Sequence, residues 1–122
     1  MVRFSTDKPI YAQIIDLVSA RIVTGLYEPG SQLPTVRDLA MELEVNPNTV
    51  QRALADLEQK GFVYSERTSG RFVTEDKLLL DETRITLMQG ETKAFISSMK
   101  RFGCSGKELA DLVRRCSKEG EK

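Results

Sequence analysis

The chain has 122 residues, with 18 basic and 18 acidic side chains, two cysteines and no histidine. This length fits one small domain, or one compact domain with an appendage. Without histidine, every mechanism that uses imidazole is excluded, including Ser-His-Asp triads and His-ligated zinc. Two cysteines are too few for a structural zinc site or a disulfide scaffold. We therefore expect a cytoplasmic protein that needs no metal or other cofactor.

The distribution of apolar and charged residues limits the partners of the chain. The longest apolar run, near residues 78–80, is far shorter than the ~18 residues of a membrane span, so we expect no membrane partner. Basic and acidic groups are balanced both in residues 1–73 (eight and nine) and in residues 74–122 (ten and nine). Nucleic-acid-binding domains usually have a basic face. Nucleic-acid binding by this neutral chain would therefore depend on where its basic side chains lie and not on their excess.

Three helices are predicted in the first half of the chain. Apolar residues at helical spacing predict the first helix over residues 9–24, with Asp7 as its N-cap. The second helix is short, opens with a capping box at Thr35 and ends before Asn46, because a proline follows. Asn46 is a good N-cap for the third helix, which Gly61 ends. Two helices joined by a turn of about three residues form a helix-turn-helix.

A β-hairpin is predicted directly after these helices. The β-rich segments 62–65 and 71–74 flank a polar turn that contains Gly70. A hairpin in this place is a wing. We predict a mostly α fold class with a small β-hairpin. An N-terminal winged helix-turn-helix occupies residues 1–74 and a two-helix dimerisation tail occupies residues 75–122.

The tail is predicted to contain one long helix over residues 76–102 and a short last helix capped by Ser105. Gly90 could bend or break the long helix. Apolar residues of the long helix follow alternating three- and four-residue steps, with two polar residues in the series, which is typical of a helix–helix seam. They are Leu78, Ile85, Met88, Phe95, Met99 and Phe102. We predict homodimerisation through this stripe; the alternative is that the tail folds back on its own winged helix.

The cysteines carry little information. Cys104 and Cys116 are twelve residues apart, about 18 Å along one helix, which is too far for a disulfide. Cys116 lies on the apolar stripe of the last helix and is predicted to be buried. Cys104 is predicted to be a packing residue, with a redox role as the alternative if it is exposed.

The beginning of the third helix carries side chains that suit base recognition. A helix-turn-helix places its second helix in the major groove with the N-terminal residues near base edges. There, Asn and Gln suit adenine, Arg suits guanine and Thr suits the thymine methyl group. The candidate DNA contacts are Asn46, Asn48, Thr49, Gln51 and Arg52 on this helix, Arg37 on the preceding one, and Arg67 and Arg71 beside the hairpin tip. The structural alternatives are a simple cap at Asn46 and a solvated helix face.

The residue pattern also resembles a known family. The resemblance is carried by the segments P-I-Y-x-Q-I (residues 9–14), G-x-x-x-P-G-x-x-L-P-T-V-R-x-L-A (residues 25–40) and V-N-P-N-T-V-x-R-A-L-x-x-L-E-x-x-G-F-V (residues 45–63). Together they are similar to the DNA-binding domain of the GntR family of bacterial transcription regulators, over about residues 9–73.

The resemblance implies a winged helix that binds a palindromic operator as a homodimer. It implies DNA contacts at Arg37, Asn46, Asn48, Thr49 and Gln51, at Gly70 of the wing tip, and at the DNA backbone for Arg52. The wing departs from the family pattern Gly-x-Gly-Thr-Phe-Val, because one glycine is lost and Arg71 replaces the threonine. Two helices after the wing resemble the YtrA subfamily, whose short tail serves chiefly dimerisation.

We therefore predict a sequence-specific transcriptional regulator, specifically a repressor, whose partners are double-stranded operator DNA and a second copy of itself. The sequence does not indicate a small-molecule effector. The alternative is a winged-helix protein-interaction module without DNA binding, which would have no salt-sensitive affinity for DNA. An enzyme is not expected, because the chain lacks histidine, a nucleotide-binding loop and a clustered carboxylate pair.

Overall fold

A computed structural model describes residues 3–120. The helices and strands in chain order are α1 (Ile10–Val23), α2 (Val36–Leu43), α3 (Pro47–Gln59), β1 (Val63–Glu66), β2 (Gly70–Val73), α4 (Lys77–Met99) and α5 (Gly106–Gly120), with a short 3-10 helix (Lys100–Phe102) after α4. This order confirms the predicted fold class of a mostly helical chain with one antiparallel hairpin among the described residues. The chain divides into two compact units between Arg84 and Ile85.

Side-chain caps mark where α2 and α3 begin. The Thr35 hydroxyl accepts a hydrogen bond from the Asp38 amide at 3.0 Å, and the Asn46 side chain accepts one from the Asn48 amide at 2.8 Å. Both caps were predicted, because these side chains satisfy amides that have no partner inside the helix. The predicted cap of α1 was wrong: Pro9 holds the N-cap position, and Asp7, two residues earlier, accepts a hydrogen bond from Ser5 instead.

The turn between α2 and α3 spans the three predicted residues. Glu44 ends α2 in a left-handed conformation with φ of 55°, and it is the one non-glycine residue with positive φ in the described chain. This conformation costs roughly 1 kcal/mol in a residue with a Cβ atom. It turns the chain sharply toward Asn46, so that α3 begins immediately. The two helices therefore form the predicted helix-turn-helix.

The core of the first unit is built around α3. Both α1 and α2 pack on α3, and β1 lies beside it. The buried apolar side chains are Ile14, Val18 and Ile22 of α1, Leu33, Leu39, Ala40 and Leu43 in and before α2, Val50, Ala53, Leu54 and Leu57 of α3, Val63 and Val73 of the hairpin, and Leu80 of α4. The buried residues of α3 follow helical spacing along one face of the helix. Leu80 of α4 belongs to this core, and the first unit reaches Arg84.

The hairpin is the predicted wing, with its strands shifted by one residue. β1 and β2 pair from Val63 opposite Val73 to Glu66 opposite Gly70. A further pairing was not predicted from the sequence: Gln32 forms an isolated antiparallel bridge with Phe72. The Gln32 side chain also donates a hydrogen bond to the Ser69 carbonyl. The φ of Gly70 is +107°, a conformation that strains any residue with a side chain, and this explains why the position is glycine. A Cβ atom there would lie 2.9 Å from the side-chain nitrogen of Gln32, which could move aside.

The second unit contains the end of α4, the short 3-10 helix and α5. α4 continues through Gly90 without a break, and Gly103, with φ of 71°, ends the 3-10 helix. Ser105 and Glu108 form the predicted capping box at the start of α5. Among residues 85–120, Leu109 is the one buried side chain. The prediction that Cys116 is buried was wrong, because this small unit cannot cover both faces of α5; Cys104 is half-buried.

An ion pair between α1 and α2 contributes to the stability of this fold. Both terminal nitrogens of Arg21 donate to the Glu42 carboxylate, at 3.2 and 2.6 Å, and Arg21 also donates to the Tyr27 hydroxyl at 2.6 Å. The hydrogen bonds from Arg21 lower the pKa of Glu42 below its ordinary value of 4.5. The carboxylate is half exposed, so solvent screening limits the contribution of the pair.

We expect Arg21→Met to lower the free energy of unfolding by about 1 kcal/mol at pH 7. Because the pKa of Glu42 is lowered in the folded state, the ion pair contributes fully above pH 4.5 and less as the pH falls through the folded-state pKa. Urea unfolding at pH 7 and pH 3 measures both effects. Lys60→Met, which removes the exposed pair with Asp56, is the control and should change little. A constant difference at both pH values would contradict this account.

Candidate nucleic-acid interface

The N-terminal half of α3 presents a row of polar side chains to solvent. Asn46, Asn48, Gln51 and Arg52 are exposed and Thr49 is half-buried. The carboxamide oxygen of Asn46 accepts a hydrogen bond from the Asn48 amide, so its structural role as a cap is confirmed. Its side-chain nitrogen has no partner within residues 3–120. The four exposed side chains leave their remaining donors and acceptors directed away from the core. The arrangement suits contact with another polar surface.

Arg52 is held in place by an aromatic ring of α1. Its guanidinium carbon lies 3.6 Å from the centre of the Tyr11 ring, which is a close cation–π contact. Stacking occupies a face of the guanidinium group and leaves the N–H groups at its edge available to an anion. This role of Tyr11 was not predicted from the sequence. A tyrosine at the beginning of an otherwise apolar helix stripe is the signal that could have suggested it.

A second network joins the wing to α3. The Glu58 carboxylate accepts hydrogen bonds from the Ser65 hydroxyl at 2.8 Å and from Nε of Arg71 at 3.1 Å. Ser65 and Arg71 are paired across the hairpin, so they lie on the same face of the wing. These two hydrogen bonds lower the pKa of Glu58. Glu58, near the C-terminal end of α3, therefore anchors both strands of the wing to the helix.

Arg71 also contacts the polar row of α3. Its Nη1 donates to the Gln51 carboxamide oxygen at 3.3 Å, and its side chain is 19% exposed. The sequence predicted Arg71 as a contact at the wing tip. In the structure this side chain turns back toward α3, where its charge is paired with Glu58. Arg71 therefore lies near the predicted interface, where it links the wing to α3.

The remaining predicted contacts are exposed. Arg37 lies in the first turn of α2, Arg67 lies in the turn of the wing, and Gly70 begins β2. Arg37 and Arg67 have no hydrogen bond or ion pair to another side chain within residues 3–120. Both cations are therefore free to pair with phosphate. A chain of zero net charge can therefore still present unpaired basic side chains at this surface. Two of its acidic groups, Glu42 and Glu58, are already paired with Arg21 and Arg71.

Three helices followed by a hairpin, with an exposed polar row at the start of the third helix, define a winged helix-turn-helix. Residues 10–73 match the family described as bacterial regulatory proteins, gntR family. The chain belongs to the GntR family of bacterial transcriptional regulators, and residues 10–73 are its DNA-binding domain. This family consists of transcription regulators and not of enzymes. Within the part of the chain that the structure describes, no helix is long and apolar enough to span a membrane.

Relatives of known sequence resemble the chain over nearly its whole length. It is 34% identical over 118 residues to the uncharacterized HTH-type transcriptional regulator YhcF of Bacillus subtilis, covering 97% of this chain and 98% of YhcF. It is 32% identical over 113 residues to the HTH-type transcriptional repressor YtrA of the same organism, covering 92% and 87% of the two chains. The similarity therefore includes the tail as well as the winged helix.

Solved structures give the same result. A GntR family transcriptional regulator from Listeria monocytogenes superimposes with a TM-score of 0.84 at 40% identity, covering 92% of this chain and 98% of that one. The DNA-binding domain of AraR in complex with operator ORR3 superimposes with a TM-score of 0.54 at 30% identity, covering 61% of this chain and 89% of that one. A similar domain thus binds operator DNA.

Proposed function

We propose that this regulator is a repressor that binds a palindromic operator as a homodimer. The observation that carries the proposal is the exposed row of Asn48, Gln51 and Arg52 on α3, next to a wing fixed to the same helix. The similarity to the repressor YtrA supports the direction of regulation. The operator complex of the AraR DNA-binding domain supports DNA as the ligand.

In this proposal α3 lies in the major groove. Asn46, Asn48, Thr49 and Gln51 face base edges, where amide and hydroxyl groups can donate and accept hydrogen bonds. The free cations Arg37 and Arg67 and the stacked Arg52 pair with phosphates, which fixes the orientation of the domain on the duplex. Gly70, at the beginning of β2, allows the wing backbone to approach the neighbouring minor groove.

The proposed dimer contact is the apolar surface of the tail. Ile85, Met88, Phe95 and Phe102 of the predicted stripe are exposed by between 46% and 73% of their surface, Leu78 in the first unit by 69%, and Met99 is half-buried. Thr92 fits within this stripe because its hydroxyl donates to the Met88 carbonyl at 2.7 Å. Residues 85–120 bury one side chain between them, which is too little for an independent fold. A second copy supplies the missing apolar surface.

Selection of bound sequences from random duplex DNA tests the proposal. We expect a two-fold symmetric site with half-site centres about one helical turn apart. Gln51→Ala should weaken binding to that site by about five- to 150-fold, corresponding to the ~1–3 kcal/mol of a base contact. Gln59→Ala is the matched control, because it makes the same change at the opposite end of α3 and should leave the affinity unchanged.

The remaining outcomes separate the proposal from its alternative. Failure to enrich any sequence, together with binding that does not weaken as salt rises, would favour a winged helix that binds proteins. Repression is tested by transcription in vitro from a promoter that overlaps the selected site. The protein should lower transcript yield there, and an increase would show that it activates.

A further inference from the structure

We infer that Arg71 is a specificity-determining positioning residue, which holds the Gln51 carboxamide in one orientation and thereby narrows the choice of base that Gln51 accepts. The inference rests on the proposed function, because it concerns how Gln51 meets a base edge. It arises from the position at which the wing departs from the family pattern. An arginine stands there in place of threonine, and the structure turns it toward α3.

The chemistry of the contact fixes the orientation of the amide. All the hydrogen-bonding groups of a guanidinium are donors, so Nη1 of Arg71 can bond only to the oxygen of the Gln51 carboxamide. The amide nitrogen of Gln51 therefore occupies the other position, and it has no partner among residues 3–120. An unrestrained carboxamide can rotate by 180°, which exchanges the positions of its oxygen and its nitrogen. The carboxamide that Arg71 holds keeps the acceptor oxygen and the donor nitrogen in fixed positions.

Arg71 can impose this order because it is itself held. Its Nε donates to Glu58 at 3.1 Å, and Glu58 also accepts from Ser65 on the opposite strand. Gln51 and Glu58 are seven residues apart, which places them on the same face of α3 two turns apart. The planar guanidinium group donates to both through different nitrogens. The wing thus acts on base choice through α3, in addition to any contact of its own with DNA.

The experiment compares base preferences by selection from random duplex DNA for the full-length protein and its variants. Gln51→Ala first locates the base pair that Gln51 contacts, as the position where preference collapses. Arg71→Thr, a residue well suited to a strand, is expected to reduce discrimination at that same base pair by at least about fivefold. Arg67→Thr is the matched control in the same wing. It should weaken binding uniformly and leave the base preferences unchanged.

A double variant distinguishes positioning from a general effect on the wing. In a Gln51→Ala background, Arg71→Thr should have no further effect at that base pair, because the group it orients is absent. An unchanged preference in the single variant, or an equal additional loss in the double variant, would overturn the inference. If Arg71→Thr does not fold, as judged by circular dichroism, Glu58→Gln should give a smaller loss at the same base pair.

Failure of the inference and failure of the proposed function give different results. If the unmodified protein selects a symmetric site and Arg71→Thr selects it with the same preferences, the proposed function stands and the inference falls. If the unmodified protein selects no sequence, both fall together, because Gln51 then contacts no base.

Discussion

Met88→Lys is expected to convert the proposed homodimer into monomers and to lower operator affinity by about 10²–10⁴-fold. Met88 is 46% exposed in the isolated chain and lies in the apolar stripe of α4. Lysine has a similar volume but would place a charge in the proposed dimer contact, where its desolvation is unfavourable. When two linked domains bind two half-sites, the second contact is effectively intramolecular. A monomer loses this gain in affinity, which is typically about 10²–10⁴-fold.

Light scattering after gel filtration measures the oligomeric state of Met88→Lys, and titration of a labelled operator measures its affinity. Thr86→Lys is the control, since it adds the same charge to an exposed position on the opposite side of α4. It should remain dimeric and bind normally. If Met88→Lys also remains dimeric and binds normally, the dimer is formed by a different surface.

Leu54→Ala is expected to destabilise the winged helix by about 2–5 kcal/mol, a large part of the ~5–15 kcal/mol by which a small domain is stable. Leu54 is 1% exposed and lies on the side of α3 that packs against the other helices. Its truncation removes apolar contacts and leaves a cavity in a centre shared by several elements. The consequence is a much larger unfolded fraction under mild denaturing conditions.

Urea denaturation followed by circular dichroism measures this loss. Leu26→Ala is the matched control, because the same three carbon atoms are removed from a side chain that is 70% exposed. It should change the free energy of unfolding by less than about 0.5 kcal/mol. A loss below about 1 kcal/mol for Leu54→Ala would mean that α3 is not the centre of the core.

Features that depend on neighbouring residues were predictable from the sequence. The caps at Thr35 and Asn46 and the buried side of α3 follow from side chains a few positions apart. The wing was also predictable, because its two strands are joined by a short polar turn. The cap of α1 was missed because Pro9 leaves Asp7 too far from the first free amides of the helix.

The chemistry of the candidate interface was predictable in part. The residue types at the start of α3 follow from its position in a helix-turn-helix. Their partners do not, because these come from other elements of the fold. Tyr11 and Arg52 are 41 positions apart, and Arg71 meets Glu58 across 13 positions. These pairs require α1 and the wing to pack on α3. The spacing of residues that are close together in the sequence therefore does not predict them.

The bridge between Gln32 and Phe72 has a consequence for the order of folding. A two-stranded hairpin alone is marginally stable in water, and here its third pairing comes from a segment 40 residues earlier. Helices α2 and α3 lie between the two segments in the chain, and their formation shortens the connecting loop. We therefore expect the wing to be completed after these helices. A partly unfolded chain would then have α3 before it has a wing to support it.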